Sequence, residues 1–259
     1  MAQNSPAAPS ATILLLRDGV QGLEVFMVVR NYQIDFASGA LVFPGGKVDE
    51  GDRAPSIRPR CRGHEEHDEE ALALRICAVR EVFEECGVLL AEQGVLSGVP
   101  AALTNQETVR AAVHGGSMDM ETLLSAHDLG LDLTALVPFA HWITPDMMPR
   151  RYDTHFFLAR VPGAQAARHD GDESVDSVWI NPARALQEAE DGKWTIIFPT
   201  RMNLMKLACS ATVDEALARA AGETVVTVKP WVENTDEGAF LRIPDDAGYD
   251  VTREPLEKL

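Results

Sequence analysis

Three glutamates, Glu81, Glu84 and Glu85, fall close together in the segment Arg80-Glu81-Val82-Phe83-Glu84-Glu85-Cys86-Gly87-Val88. On a helix, carboxylates at i, i+3 and i+4 share one side and repel each other by a few tenths of a kcal/mol per pair. They also crowd the last turns, where the helix dipole is negative and anions are disfavoured. Arg80 can offset part of this by pairing with Glu84. A divalent cation would offset all of it, because hard cations are bound by clustered carboxylate oxygens. The segment that feeds this helix is Phe43-Pro44-Gly45-Gly46-Lys47-Val48-Asp49-Glu50-Gly51-Asp52. Its two adjacent glycines let the backbone approach a ligand closely and present carbonyls or amides to it.

Other residues suggest chemistry less strongly. Arg150 and Arg151 are adjacent guanidinium groups in a neighbourhood poor in charge, suited to bidentate contact with phosphate oxygens. Cys61, His64, His67 and Asp68 are zinc-ligand types, but they are packed closely with no second knuckle and read as a polar loop. Cys86 borders the carboxylates, which would raise a thiol's pKa, so it is not a nucleophile. Trp142, Trp179, Trp194 and Phe198 lie next to strands and read as core rather than as a stacking platform.

The elements that must position the carboxylates can be read from periodicity. Leu72, Ile76, Val79, Phe83 and Cys86 recur at spacings of four and three, which predicts a helix from about Glu69 to Cys86 with Gly87 as its cap. Ala11–Leu16 and Glu24–Val29 predict a hairpin turning at Asp18-Gly19, and Ala40–Phe43 a third strand stopped by Pro44. Residues 53–70, with Arg53, Arg58, Arg60 and Arg62 and then an acidic run, read as a polar insertion without apolar periodicity. They would act as a cationic flap over substrate or as a surface excursion. Residues 91–135 read as helical and accessory, with a capping box at Thr104–Glu107 and a helix near Met118–Ala126. Strands are expected at His141–Thr144, Thr154–Arg160 and Ser177–Ile180, then a helix capped by Asn181 and Pro182. One long helix over Thr200–Ala221 and late strands at Thr224–Lys229 and Phe240–Ile243 complete the chain. This interleaving predicts an α+β fold with a mixed sheet between helical layers.

Joined, the glycine segment and the acidic helix resemble the Nudix hydrolase family, whose box reads G-x5-E-x7-R-E-U-x-E-E-x-G-U with U aliphatic. Gly46-x5-Asp52 matches the first half with Asp for Glu, and Arg80 to Val88 matches every specified position of the second. Between Asp52 and Arg80 lie 27 residues instead of seven. A box split in this way is similar to the branch that contains the peroxisomal coenzyme A diphosphatase. So are Trp142-Ile143-Thr144-Pro145, the segment Arg150 to Phe157, and Trp179-Ile180-Asn181-Pro182. Coenzyme A members of other branches carry R-S-x3-R-x3-G-x3-FPGG. Here Arg30-Asn31-x3-Asp35-x3-Gly39-x3-Phe43-Pro44-Gly45-Gly46 keeps that spacing, with Asn for Ser and Asp for Arg.

The resemblance implies a Nudix-type α/β/α sandwich that hydrolyses a nucleoside diphosphate linked to X, with magnesium, or manganese in its place, as cofactor. Glu84, Glu85, Glu81 and the Gly45 carbonyl would ligate the metal, and Arg80 would orient the cluster. Glu81 or Glu173, the latter in the loop His169–Ser174, would be the general base. Arg150, Arg151 and Arg30 would meet substrate phosphates. Coenzyme A or an acyl-CoA is the expected substrate. ADP-ribose or a nucleotide sugar, or a non-catalytic nucleotide-sensing module, are the alternatives, and a homodimer is compatible with the family.

Composition bounds the rest. A net charge of −17 repels nucleic acid and anionic membranes. Four cysteines with no CxxC pair suit a reducing, cytoplasmic setting. The first ten residues lack a signal peptide's apolar core and read as a disordered tail, and no stretch reaches the ~18 apolar residues of a membrane span. Residues 11–259 are expected to form a single domain.

Overall fold

The computed structural model describes residues 6–30, 39–91, 106–162, 167 and 174–258. Strand β1 (Ala8–Gly19) turns through Val20-Gln21 into β2 (Gly22–Arg30). The turn lies just beyond the expected Asp18-Gly19, because Asp18 pairs with Leu23 and its carboxylate accepts the Val213 amide. Residues 8–10, expected in a disordered tail, belong instead to β1, where Ala8 to Leu16 run parallel to a later strand.

The chain continues through β3 (Leu41–Val42), β4 (Gly45–Lys47) and the short β5 (Cys61–Arg62) to helix α1 (Glu69–Cys86). Helices α2 (Gln106–His114) and α3 (Met120–His127) follow, then β6 (Leu131–Asp132), β7 (Val137–Ile143), β8 (Tyr152–Arg160) and β9 (Ser174–Ile180). Helix α4 (Pro182–Glu190) has the expected cap, Asn181 accepting from the Ala183 and Arg184 amides. The single helix expected over Thr200–Ala221 is two, α5 (Phe198–Leu207) and α6 (Val213–Gly222), because Thr212 caps a new start by accepting the Glu215 amide. The chain ends with β10 (Thr227–Val228), β11 (Trp231–Thr235), β12 (Gly238–Arg242) and β13 (Arg253–Pro255).

The main sheet runs β10-β7-β8-β1-β2-β3, with β4 on β1 and β9 on β2. It is mixed: β1 is parallel to β8 and antiparallel to β2. Both of its faces are buried, as the alternation of side chains along a strand requires. Ala11, Ile13, Leu15, Phe26, Val28 and Phe157 pack with α1, whereas Leu14, Leu16, Val25, Met27 and Leu158 pack under α4, α5 and α6. Helices therefore cover both faces, in the expected α/β/α sandwich. Strands β11, β12 and β13 form a separate small sheet. No helix among the described residues is long and apolar enough to cross a membrane.

One local feature builds the site. β8 occupies one edge of β1, so β2 (at 16–19) and β4 (at 10–12) share the other. β1 and β2 splay beyond their turn, and residues 41–47 fill the opening, β3 on β2 and β4 on β1. Pro44 does not stop the strand, as expected, but interrupts it. It has no N–H to donate, yet its carbonyl accepts from Ile13 at 3.0 Å, and pairing resumes at Gly45.

Candidate active site

Helix α1 starts where Asp68 accepts the Ala71 amide at 2.8 Å and ends at Gly87 in the left-handed conformation, φ 69°. It lies across β1 and β4. The three glutamates do not form a solvated face: Glu81, Glu84 and Glu85 are 8%, 8% and 5% exposed. Buried carboxylates are rare unless paired or metal-bound.

Arg80 is the hub of the cluster. Its Nε donates to Asp52 Oδ1 and its Nη2 to Asp52 Oδ2, both at 2.9 Å. Nη1 donates to Glu81 Oε1 at 2.8 Å and Glu84 Oε1 at 3.1 Å, and Nη2 also reaches the Lys47 carbonyl at 2.8 Å. The long interruption is thus closed in space. Asp52, from the glycine segment, meets Arg80, from the helix, in a bidentate pair. Burial alone would pull the Arg80 pKa down, but Asp52 and Glu81 more than reverse it, so the guanidinium stays charged. Burial raises the carboxyls of Asp52 and Glu84 above their ordinary values against the pull of Arg80. One guanidinium cannot neutralise Asp52, Glu81, Glu84 and Glu85 together. The donor set, all carboxylate oxygen, fits a hard divalent ion.

The glycines face this cluster. The Gly45 amide donates to Glu85 Oε2 at 3.2 Å. Bonds from Ile13 to Pro44 and from Val48 to Pro9 set the ladder so that Gly45 turns its backbone polar groups away from β1. Gly46 lies directly beneath Glu81. A Cβ there would sit 2.3 Å from Glu81 Oε1, so only glycine leaves that carboxylate in place.

Residues the sequence reading missed come from the segment thought accessory. Arg110 of α2, 4% exposed, donates through Nε to the Glu84 carbonyl at 2.7 Å, and Gln106 Nε2 donates to the Gly87 carbonyl. Both satisfy carbonyls at the negative end of α1, where the carboxylates are least welcome. His114 Nδ1 stands 3.7 Å from Glu84 Oε2. The only sequence signal was an Arg and a His four positions apart on a predicted helix. Thr104 of the expected capping box lies outside the described residues.

The insertion 53–70 is neither a loose excursion nor an open cationic surface. Ile57 and Cys61 are fully buried in the core, and Cys61–Arg62 pairs with Leu131–Asp132. Arg53 pairs with Glu70, Arg60 with Asp128 and Arg62 with Asp132, while Arg58 reaches the His67 carbonyl. Three of the four arginines are met by acids of the protein itself.

Of the remaining expected site residues, Arg151 pairs with Asp146 at 2.6 Å and donates to the Thr144 carbonyl at 3.2 Å. Arg150 is exposed beside it. The Arg151 carbonyl accepts from Ala8, at the end of the sheet where the Val48 amide bonds Pro9. Arg30 ends β2, its amide bonded to the Ala40 carbonyl. Glu173 lies outside the described residues. Trp142 is buried against Phe198 and Tyr249, and Trp179 is half-buried against Phe26, so both pack with the core as expected.

Comparison with known proteins agrees with this geometry. The NUDT19 Nudix domain family matches residues 60–207. The acyl-coenzyme A diphosphatase NUDT19 of Homo sapiens is 26% identical over 92% of this chain and 76% of its own length. Putative nudix hydrolase 7 of Caenorhabditis elegans is 29% identical over 71% of this chain, which spans 55% of that relative. The crystal structure of a NUDIX hydrolase from Alicyclobacillus acidocaldarius superposes with a TM-score of 0.70 at 26% identity, covering 83% of this chain and 96% of that one. The fold is that of a Nudix hydrolase. Within that class the chain belongs to the family of the NUDT19 Nudix domain.

Proposed function

We propose that this chain is a divalent-metal-dependent diphosphatase that cleaves the phosphoanhydride of coenzyme A or an acyl-CoA. The observation that carries this reading is the closure of the split box: Asp52 clamps Arg80, which also holds Glu81 and Glu84, while Glu85 meets Gly45 and Glu81 lies over Gly46. Glu81, Glu84, Glu85 and the Gly45 carbonyl would hold magnesium, or manganese in its place. Bound there, the ion supplies positive charge to the phosphate oxygens and acidifies water. Arg80 fixes the rotamers of Glu81 and Glu84, so the carboxylates are positioned before substrate arrives. Glu81 or Glu173 takes the proton as water attacks phosphorus. The bond to the bridging oxygen breaks, leaving two phosphate monoesters. Arg150, Arg151 and Arg30 meet the substrate's phosphates, and for Arg151 this requires exchanging Asp146 for a phosphate oxygen. Supporting the substrate class is the name of the human relative, an acyl-coenzyme A diphosphatase. The four free thiols suit a cytoplasmic setting.

The test is a screen of coenzyme A, acyl-CoA, ADP-ribose and nucleotide sugars with magnesium or manganese, with products weighed by mass spectrometry. Fastest cleavage of a coenzyme A diphosphate is expected. Turnover confined to ADP-ribose or nucleotide sugars would replace the substrate, and no turnover of any diphosphate would leave a sensing module.

A further inference from the structure

On the flank of α1 opposite the carboxylates lies a second group of ligating side chains. His141 of β7 is paired in register with His155 of β8, and Ile143 with Asp153. Asp153 and His155 are two residues apart and so project from one face, with His141 directly opposite. The row continues from His155 through Ala11 to Gly46. Helix α1 lies over this row, with Arg75 above Phe157 on one side and Glu81 above Gly46 on the other. The three ligand atoms lie within 4.8 Å of one another.

We infer that His141, Asp153 and His155 form a binding site for a divalent transition-metal ion of the zinc class. Two imidazoles and one carboxylate are the donors such ions take, whereas magnesium prefers oxygen and water. The all-carboxylate site across α1 has the complementary preference, so donor chemistry sorts two kinds of ion between one site on the helix and one on the strands beneath it.

The protonation states suit the role. His155 is driven to a pKa of about 4 by burial first, then by His141 and Arg75, against Asp153 and Glu70. Its ring is neutral at neutral pH, the form that ligates. His141 Nε2 lies 2.5 Å from Asp153 Oδ1, which requires a proton between them. When an ion binds, the His141 ring keeps its proton by moving it to Nδ1, where Thr227 Oγ1 can accept it, and Nε2 is left free to ligate. Metal–ligand bonds of about 2.0–2.2 Å set donor atoms roughly 3–3.5 Å apart. His141 and Asp153 open slightly to reach this spacing, and His155, at 3.9 Å from Asp153, closes. Thr227 Oγ1, 2.8 Å from His141 Nδ1, holds the ring from behind, as outer-shell partners of ligating histidines do. The rings are stacked, 4.0 Å between centroids and 20° between planes, so one ring turns about its χ angles to bring both Nε2 lone pairs onto one ion. The side chains keep 17%, 37% and 36% exposure, so an ion can enter from solvent.

Cobalt(II) reports this directly, because a four- or five-coordinate nitrogen-containing site absorbs far more strongly in the visible than an octahedral oxygen site. The titration is done on full-length protein carrying Glu84→Gln and Glu85→Gln, which weakens the other site. One equivalent should produce the band, and zinc should abolish it. Adding His155→Ala should remove the band, and so should Asp153→Asn, with near-ultraviolet circular dichroism confirming the fold of each. No band in the folded parent at millimolar cobalt overturns the site, whatever the variants do. A band that survives in either folded variant overturns it equally.

Discussion

Two nitrogens of Arg80 meet the two oxygens of Asp52 at 2.9 Å each, across 28 residues of chain. Asp52 is 1% exposed, so no water replaces the contact if the carboxylate is lost. Removing one partner of a buried ion pair costs about 3–5 kcal/mol. Glu81 and Glu84 still hold the other side of Arg80, which places Asp52→Asn at the lower end, about 3 kcal/mol. The urea midpoint should fall with an unchanged slope. A midpoint equal to wild type would mean that the pair does not secure the closure of the interrupted motif.

Legibility in the sequence followed the range of the interaction. Helix α1 was read to its bounds because its signals are local: a stripe from Leu72 to Cys86 and a glycine at 87. The Asn181 cap was equally local. What Asp52 touches was not, since nothing at position 52 specifies that the 27 intervening residues fold back to return it to Arg80. The resemblance to a known motif supplied that pairing, and the buried Ile57 and Cys61 show how the insertion achieves it. Arg110 and Gln106 were invisible for a related reason. They satisfy backbone carbonyls, and a carbonyl leaves no mark on the side-chain pattern. The break between α5 and α6 was missed because Thr212 is one of many threonines, and only the fold gives it the Glu215 amide.

Gly46 offers a test of placement without removal of any charge. A methyl group there would lie 2.3 Å from Glu81 Oε1, so in Gly46→Ala the carboxylate must swing away. Displacement of a catalytic group by about 1 Å can cost ~100-fold in rate. Turnover should fall by roughly that factor while the melting temperature changes little, since no apolar packing is lost. Wild-type turnover in Gly46→Ala would show that Glu81 need not stay over the glycine.

Glu84→Gln and Glu85→Gln remove charge but keep shape. Each should lower turnover at least ~100-fold through loss of metal charge, with little loss of fold. The same carboxylates predict that millimolar magnesium or manganese raises the melting temperature of wild type, because the cation binds a repulsion that exists only in the folded helix. Near-native turnover of both variants at saturating metal would remove these residues from the metal site.

Arg110 supplies the positive charge at the carboxylate-rich end of α1. Arg110→Ala leaves the Glu84 carbonyl without its charged donor, a loss of about 1.5–3 kcal/mol. Loosening that turn should raise the metal concentration needed for half-maximal turnover, while kcat at saturating metal stays within a few-fold. A metal requirement identical to wild type, with only stability reduced, would confine Arg110 to holding α2 on the core.

His155 gives the fold an acid-sensitive point whose sign is fixed by its surroundings. Burial, then His141 and Arg75, hold its folded pKa near 4, below the ordinary 6.5, while Asp153 and Glu70 oppose them. Between those values the unfolded chain binds a proton that the native protein refuses. The contribution to stability is therefore complete above about pH 6.5 and is lost progressively as pH falls toward 4. Many carboxyl groups titrate over the same range, so the informative quantity is the difference in melting temperature between wild type and His155→Asn, measured with a chelator present. Acidification from about pH 7 to about pH 5 should shift this difference against wild type, because the asparagine variant has no imidazole to protonate. A difference that stays constant across that interval would show that the ring is not kept neutral by the fold.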